Sequence, residues 1–441
     1  KVYMFDSENF KNKLKKKKDK KNTFRLLSSK FLQLKYLNEI NRFKKKYKIL
    51  SYNFNLKSAL VSGGLSNYWG AGIEFPSINY LKKYANYKSI IKENRQIKKI
   101  IGIPFNDDTK YFNFFYKQNV IQNILIKKNK KIYFEKSNLA VRQIDNKNQS
   151  KKDTIFNASD QIKILKKNKN FYYSKNKHVE SFKKYKKNSY KIVFEKGETK
   201  TIFDKVIISA GTIGSTILVS KLLNLKTKIQ LLHHKMLIFI FFTFKSMHRS
   251  LNGYDLPLLR LVYKSKFGTS KGGFIFSKDL DSRFFNIDNK NFLFNYLKKF
   301  FFIGNFFMPT NFTKSYIKVD GNKSKITTST KKKLMNLYKK KLTDELSSIL
   351  KFNKIFGLPV KKSFFLENGS DAHYTSSLLY IKKKNKKIIN NKSQIIGYKN
   401  LHVIDGSIIK PGISFPTYFI MLYSSYLSKQ ILKDEKNKNF N

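Results

Sequence analysis

The stretch Ala59–Gly72, ALVSGGLSNYWGAG, constrains the fold of this chain more than any other. It gathers four glycines, the only tryptophan and three small polar residues (Ser62, Ser66, Asn67) in a sequence otherwise built from Lys, Asn, Ile, Phe and Tyr. Backbone this poor in Cβ atoms belongs where φ must turn positive or where another group comes close to the main chain. So local a loss of side chain points to a site, and no internal repeat explains it.

With 441 residues, 41% of them hydrophobic, the chain can bury a real core in two or three units or one interleaved pair. Lys and Arg number 91 against 28 Asp and Glu, a net charge of +63 that attracts phosphate backbones and anionic membrane faces. Arginine, the planar fork that reads phosphates and base edges, supplies only seven of those cations, which argues against a nucleic-acid role. The excess of Lys comes with abundant Asn, Ile, Phe and Tyr, a joint bias that A/T-rich codons produce without any partner. There is no cysteine, hence no disulfide, no Cys-ligated metal and no thiol nucleophile; redox chemistry here needs an organic cofactor, and no metal site is expected. The apolar runs MLIFIFFTF (Met236–Phe244) and FFFIGNFFM (Phe300–Met308) fall short of the roughly 20 residues of a membrane span and read as buried strands. The first residues, KVYMFDSENF, carry no apolar signal core, so a cytoplasmic protein is expected; peripheral contact with a membrane stays open.

Along the chain, KVYMFDSE alternates into an acidic end like a strand that feeds a ribose. Residues 9–50 read as mostly helical, with KNKLKKKKDKKN (Lys11–Asn22) as an exposed loop or helix face. Residues 78–134 mix helices and loops, and NQSKKDTIFNASD (Asn148–Asp160) reads as loop. Strands follow from Phe171, then a helix over GTIGSTILVSKLLNL with one buried face through Ile217, Leu218, Lys221 and Leu222. Residues 226–365 form an aromatic, strand-rich region that ends in an amphipathic helix near Lys331–Phe352.

Two further segments carry chemistry. KVIISAGTIGST (Lys205–Thr216) is a strand that runs through Ala210-Gly211 into a helix start, where free amides and the positive end of the helix dipole favour an anion. NLHVIDGSIIKPGISFPTYFIMLYSSYLSKQIL (Asn400–Leu432) is a second strand ending in Asp405-Gly406, then a loop, then Phe415-Pro416-Thr417 at the head of a long apolar helix. Each alone is also compatible with an ordinary strand, turn and helix.

Together, in this order, the segments resemble the glucose–methanol–choline (GMC) oxidoreductases, which are flavoproteins. The resemblance covers both ends of the chain and hardly touches residues 226–360; the SNxWG beside the paired glycines is closest to bacterial members linked to sugars or cell-surface polysaccharide. It implies an α/β protein with α+β insertions: an FAD-binding Rossmann-like domain from residues 1–80, 171–225 and 366–441, and an antiparallel-sheet substrate domain from 81–170 and 226–365. It implies non-covalent FAD, since Tyr68 stands where pyranose oxidases carry the flavin-linked histidine. Gly63, Gly64, Ser66 and Asn67 would line the cofactor, Asp6 would contact the ribose and the backbone near Val179 the adenine. Ala210, Gly211 and Gly406 would lie at the diphosphate, Asp405 at the ribityl chain, and Pro416-Thr417 at the flavin pyrimidine edge. The same resemblance makes His373, in SDAHYTSSL, the base that takes the hydroxyl proton of an alcohol or sugar while hydride leaves the adjacent carbon. His233, His234 and His402, set in apolar strands, read as structural.

The chain departs from the family at two places. Phe415 stands where most members carry a second His or Asn, so the usual two-residue proton relay is absent. The loop GxGxxG belongs about twenty residues or more upstream of Asp6, where five residues precede it, so the expected nucleotide-binding domain is incomplete at its N-terminus. Two other readings stay open on the sequence: a basic protein that binds RNA or an anionic membrane surface, and a flavoprotein remnant without activity. The substrate and the electron acceptor carry no signature.

Overall fold

The computed structural model describes residues 1–7, 34–67, 69–102, 131–146, 149–186, 188–242, 259–276, 296, 301–352, 359–383 and 386–436. Five of its helices, labelled in chain order, are α1 (Leu34–Lys46), α2 (Ala158–Leu165), α3 (Gly211–Leu223), α4 (Lys332–Phe352) and α5 (Thr417–Lys436).

Two parallel strand pairs bring distant parts of the chain together. Val2–Phe5 pairs with Phe171–Ser174, and Val206–Ile208 with Leu401–Val403. Parallel neighbours cannot be joined by a tight turn, so each pair fixes a long crossover. Val206–Ile208 runs directly into α3, and Leu401–Val403 leads through the short turn Gly406–Ile408 toward α5. Both units therefore aim a helix start at the carboxyl ends of parallel strands, the place where α/β folds bind ligands.

The single buried face expected of α3 is corrected by the structure: every residue from Thr212 to Ser220 is buried. Small hydroxyl residues tolerate this because their polar atoms return to nearby acceptors. Thr216 Oγ1 donates to Thr212 O at 2.5 Å, Ser220 Oγ to Thr216 O at 2.6 Å, and Ser215 Oγ to Asp405.

The aromatic runs build a six-stranded antiparallel sheet in the order Pro359–Phe365, Met236–Phe242, Phe301–Phe307, Gly268–Phe276, Leu259–Ser265 and Ile132–Lys136. Both apolar runs flagged in the sequence are thus strands. A second sheet takes Ile229–Leu231, Thr313–Asp320 and Lys323–Thr330 antiparallel, with Ile49–Tyr52 added in parallel at its edge. Amphipathic α4 buries Met335, Tyr338, Leu342 and Leu346, spaced three and four residues apart on one face. Tyr338 meets the rings of Phe312, Tyr263 and Phe267.

The stretch Asn148–Asp160, expected to be loop, is corrected as well. Gln149–Ile155 is a strand held antiparallel to Val141–Asn146, and α2 follows, capped by Asn157. A polar strand in a hairpin gives no apolar alternation, which is why its composition reads as loop. Contacts also cross the boundary expected at residue 80. Asn86 Nδ2 donates to Tyr426 OH at 2.7 Å, Ser425 Oγ to Glu93 at 2.6 Å, and Tyr418 OH bonds Asn94, so the short helices between 78 and 101 pack on α5. One core cluster runs from Phe43 to Ile431 and takes residues from the pair Val206–Ile208 and Leu401–Val403, the second sheet, α3, α5 and the short helices between 78 and 101. Lys11–Asn22, Tyr68 and His248 lie outside the described residues. Among the described residues no helix is long and apolar enough to cross a membrane.

Candidate functional site

Several of the residues singled out in the sequence are linked by contacts from the Val2–Phe5 strand through α3 to His373 and Phe415. Asp6 ends the strand Val2–Phe5 and its Oδ2 accepts from Tyr173 OH at 3.0 Å. The next residue, Ser7, hydrogen-bonds His178 Nδ1 at 2.9 Å, directly before Val179. His178 meets Tyr47 edge-on at 4.8 Å, and the Tyr47 hydroxyl lies 3.1 Å from where a Cβ on Gly214 would stand, in the first turns of α3. Burial, with Lys46 nearby, pushes the His178 imidazole down to about 4. From α3, Thr212 Oγ1 donates to Tyr374 O at 2.6 Å, and Ser376 N–H donates to Gly406 O at 3.0 Å. His373 is the residue before Tyr374. Its ring lies 5.8 Å from that of Phe415, which in turn abuts Gly72 at the end of the glycine segment: a Cβ there would be 3.3 Å from the Phe415 ring.

The glycine segment holds its own shape. Ser66 Oγ donates to Gly63 O at 2.6 Å and accepts from Ala158 N–H at 3.0 Å, at the start of α2. Asn67 Nδ2 donates to Ser62 O at 2.8 Å and Gly64 O at 2.9 Å, while its Oδ1 accepts from Asn157 at 2.7 Å. The side chains of Ser66 and Asn67 are therefore engaged inside the loop. The two glycines differ. A Cβ on Gly63 (φ +82°) would stand 2.6 Å from Ser159 N, whereas Gly64 (φ +55°) has nothing within 4 Å of that position. Gly63 is needed for packing within the chain; Gly64 presents open backbone.

At the head of α3, Ala210 N–H donates to Ser215 Oγ at 3.0 Å. The carboxylate of Asp405, assigned by the resemblance to a ribityl chain, is taken up inside the protein by Ser215, by Ser407 N–H and Oγ at 2.8 and 2.6 Å, and by the Gly211 main chain. Burial raises its pKa despite those donors. Asp405 thus ties the two strand–helix units together, and Gly406 is packed against Thr212 and Tyr374. Gly211 (φ +75°) has open space over its α-carbon, as Gly64 does.

His373 sits among aromatic rings, 4.7 Å from Phe307 and 5.8 Å from Phe415, with the ring of His234 at 6.4 Å. The main chain of Ser414 hydrogen-bonds the imidazole and favours its protonated form, the mark of a carbonyl acceptor. Nδ1 is buried and has no hydrogen-bond partner. Burial pushes the ring down to about 4, with the Asp371 charge opposing, so the imidazole is neutral at neutral pH and Nδ1 is free to accept a proton.

Several residues around this base escape the sequence reading. His234 sets Nδ1 against Met308 O at 2.7 Å and Nε2 against Ile413 O at 3.1 Å, while its N–H donates to Asp371 Oδ2 at 2.7 Å. His233 Nε2 meets Ser315 Oγ at 2.9 Å and its Nδ1 lies 3.6 Å from Asp371 Oδ1. Burial alone would raise the Asp371 carboxyl, but His233, together with His373 and His234, outweighs it and holds the group below its ordinary value. His233 and His234 are both buried, and the main-chain N–H of His234 ties them to Asp371, two residues before His373. His402, with Nδ1 against Lys392 O at 3.1 Å, stays in its strand. Glu74, Lys271 and Arg260 form an ionic group beside Phe415, where the Arg260 guanidinium stands 4.8 Å over the ring. Their only sequence signal is scarcity: an acid just after the glycine segment, and one of seven arginines.

The first-turn amides of α5, at Thr417, Tyr418 and Phe419, are those a helix leaves without intrahelical partners, and Pro416 has no N–H to offer. Open backbone over Gly64 and Gly211, an unpartnered buried base nitrogen and this helix start all fit a flavin dinucleotide. Ser66, Asn67 and Asp405 would shape its cradle, not touch it with their side chains. Among the described residues no group of His, Asp and Glu could hold a metal ion.

No protein-family model and no curated protein sequence matches the chain. Among solved structures, the crystal structure of pyridoxine 4-oxidase from Mesorbium loti is similar over 85% of this chain and 84% of that one, with a TM-score of 0.57 and 10% sequence identity. At that identity the likeness speaks for the fold alone: a mixed parallel and antiparallel α/β architecture shared with that oxidase.

Proposed function

We propose that the chain is a flavin-dependent oxidoreductase that oxidises a CH–OH group, on a sugar or a related small alcohol, with His373 as the base. The observation that carries this reading is the buried, unpartnered Nδ1 of a neutral His373, packed against Phe307 and Phe415 just before the start of α5. The fold neighbour, an oxidase by its name, supports the same class.

FAD held non-covalently over Gly64 and Gly211 would supply the two-electron acceptor for the hydride that leaves the carbinol carbon. The chain's own groups handle the proton. His373 Nδ1 takes it from the hydroxyl as the carbonyl forms, and Phe307 and Phe415 keep bulk water from the ring. Phe415 can neither give nor accept a proton, and both ring nitrogens of His234 face main-chain carbonyls. The site therefore works with one base where a pair is usual, which favours substrates whose hydroxyl reaches Nδ1 without a second anchor.

The test is a titration of the purified full chain with FAD, read by flavin fluorescence, followed by anaerobic addition of sugars and simple alcohols. Retained yellow colour that bleaches with one class of alcohol supports the reading. A folded chain that neither retains nor quenches FAD would falsify it.

A further inference from the structure

Glu74 follows the short strand Gly72–Ile73 and is buried at 6% exposure, unusual for an acid in a chain with so much solvated charge. Its Oε2 accepts from two successive amides, Ser414 N–H at 2.7 Å and Phe415 N–H at 3.1 Å. Its Oε1 accepts from Lys271 Nζ at 2.6 Å. The preceding residue is held in parallel fashion, since Arg260 donates to Ile73 O while its guanidinium stacks over Phe415 and lies 3.5 Å from Glu135. Lys271 and Arg260 sit on neighbouring strands of the six-stranded sheet. A rigid line of contacts thus runs from that sheet through Glu74 to the loop that sets the His373 ring.

We propose that Glu74 is a positioning residue for His373: through its bonds to both amides it fixes the Ser414–Phe415 main chain and so decides which imidazole nitrogen is left free. The catalytic meaning rests on the oxidoreductase reading; the positioning does not. Two convergent amides need an acceptor with spare lone pairs, and an ionised one binds them about twice as strongly as a neutral one. With that loop fixed, the Ser414 main chain keeps the ring proton on one nitrogen and Nδ1 stays unprotonated. With it loose, the proton distributes between both nitrogens. A carboxylate that merely complemented the dipole at the head of α5 would stabilise the helix and leave the imidazole tautomer unchanged.

The experiment uses the full chain labelled with 15N-histidine, with the His373 resonances identified by their loss in His373→Asn. In the wild type one tautomer is expected, Nδ1 bare. In Glu74→Gln the population of the other tautomer should rise at least about threefold, because the carboxamide must turn an N–H toward either Lys271 or the two amides. Lys271→Met, which keeps both amide bonds to Glu74, should leave the ratio within about twofold of wild type on the same reasoning. A folded Glu74→Gln with the wild-type tautomer ratio overturns the proposal. If Glu74→Gln does not fold, amide exchange in the wild type decides: Ser414 and Phe415 N–H should be strongly protected, and fast exchange at both overturns it. None of these readouts needs flavin or substrate, so they fail independently of the FAD titration. If the wild type does bleach with an alcohol, Glu74→Gln should lower kcat about tenfold with KM changed less than about threefold, the pattern of a misoriented base.

Discussion

Phe415 holds its ring 5.8 Å from the imidazole of His373, and Phe307, itself 5.1 Å from Phe415, packs beside both at 4.7 Å from the imidazole. These walls do two things at once. They desolvate the imidazole, which keeps it neutral, and neither can give or accept a proton. The same Phe415 ring lies under the Arg260 guanidinium at 4.8 Å, so one side chain links the base to the ionic group on the sheet.

Replacing that wall should trade stability for chemistry. Phe415→Asn removes an aromatic contact and a cation–π partner, at a combined cost of about 2 kcal/mol. It also places a hydrogen-bonding group beside the His373 ring. The expected outcome is a lower melting temperature together with faster flavin bleaching by alcohols. A slower reaction in a folded variant would show that the aromatic wall, not a missing relay, is what the reaction needs.

His373 makes the sharpest kinetic statement. A general base contributes roughly 10²- to 10⁴-fold, so His373→Ala should lose about that much in the rate of flavin reduction while keeping flavin affinity. Because burial pushes the ring down to about 4, the wild-type rate should hold level through neutral pH and fall only as pH approaches that value. A fall centred near the ordinary histidine value of about 6.5 would mean that the ring is solvated, and the site differently built.

The two paired glycines separate folding from ligand binding. Gly63→Ala drives a Cβ to 2.6 Å from Ser159 N and should unfold the start of α2 whether or not a ligand is present. Gly64→Ala meets nothing within 4 Å, so its cost to the chain is only the left-handed φ, about 1 kcal/mol. If flavin lies over that backbone, Gly64→Ala and Gly211→Ala should each weaken FAD binding at least about tenfold, the equivalent of about 1.4 kcal/mol. Equal FAD affinity in wild type and Gly64→Ala would move the cofactor away from this loop.

The parts of the site visible in the sequence were those made of backbone. Gly63-Gly64, Ala210-Gly211 and Asp405-Gly406 announce turns through residue types that few other positions demand, and the bond from Ser215 to Asp405 brings the last two together. What stayed hidden depends on partners far along the chain. Asp405 looks like a ligand until Ser215 and Ser407 are seen to occupy it. Glu74 finds its amides 340 residues away, and no local pattern announces that pairing. The all-round burial of α3 was equally illegible, because its hydroxyls look polar until their bonds to the preceding turn are counted.

Acid should destabilise the fold through two histidines. His373 and His178 each titrate near 4 in the native protein, against about 6.5 when unfolded. Between those values the unfolded chain binds more protons, so stability rises with pH across the window. Their contribution is fully present above about 6.5 and is lost as pH falls toward 4, by at most about 3 kcal/mol for each ring before solvent screening. Asp371, held below its ordinary value, adds to the loss at still lower pH, whereas Asp405, raised by burial, works against it. Thermal midpoints recorded from pH 7 to pH 4 at constant ionic strength should therefore hold near pH 7 and drop from about pH 6.5 downward. His178→Asn with His373→Asn should flatten that slope even though both variants lose packing at neutral pH, because neither asparagine has a proton to gain. A wild-type profile already flat from pH 7 to pH 4 would place both imidazoles in water and remove the buried base on which the chemistry depends.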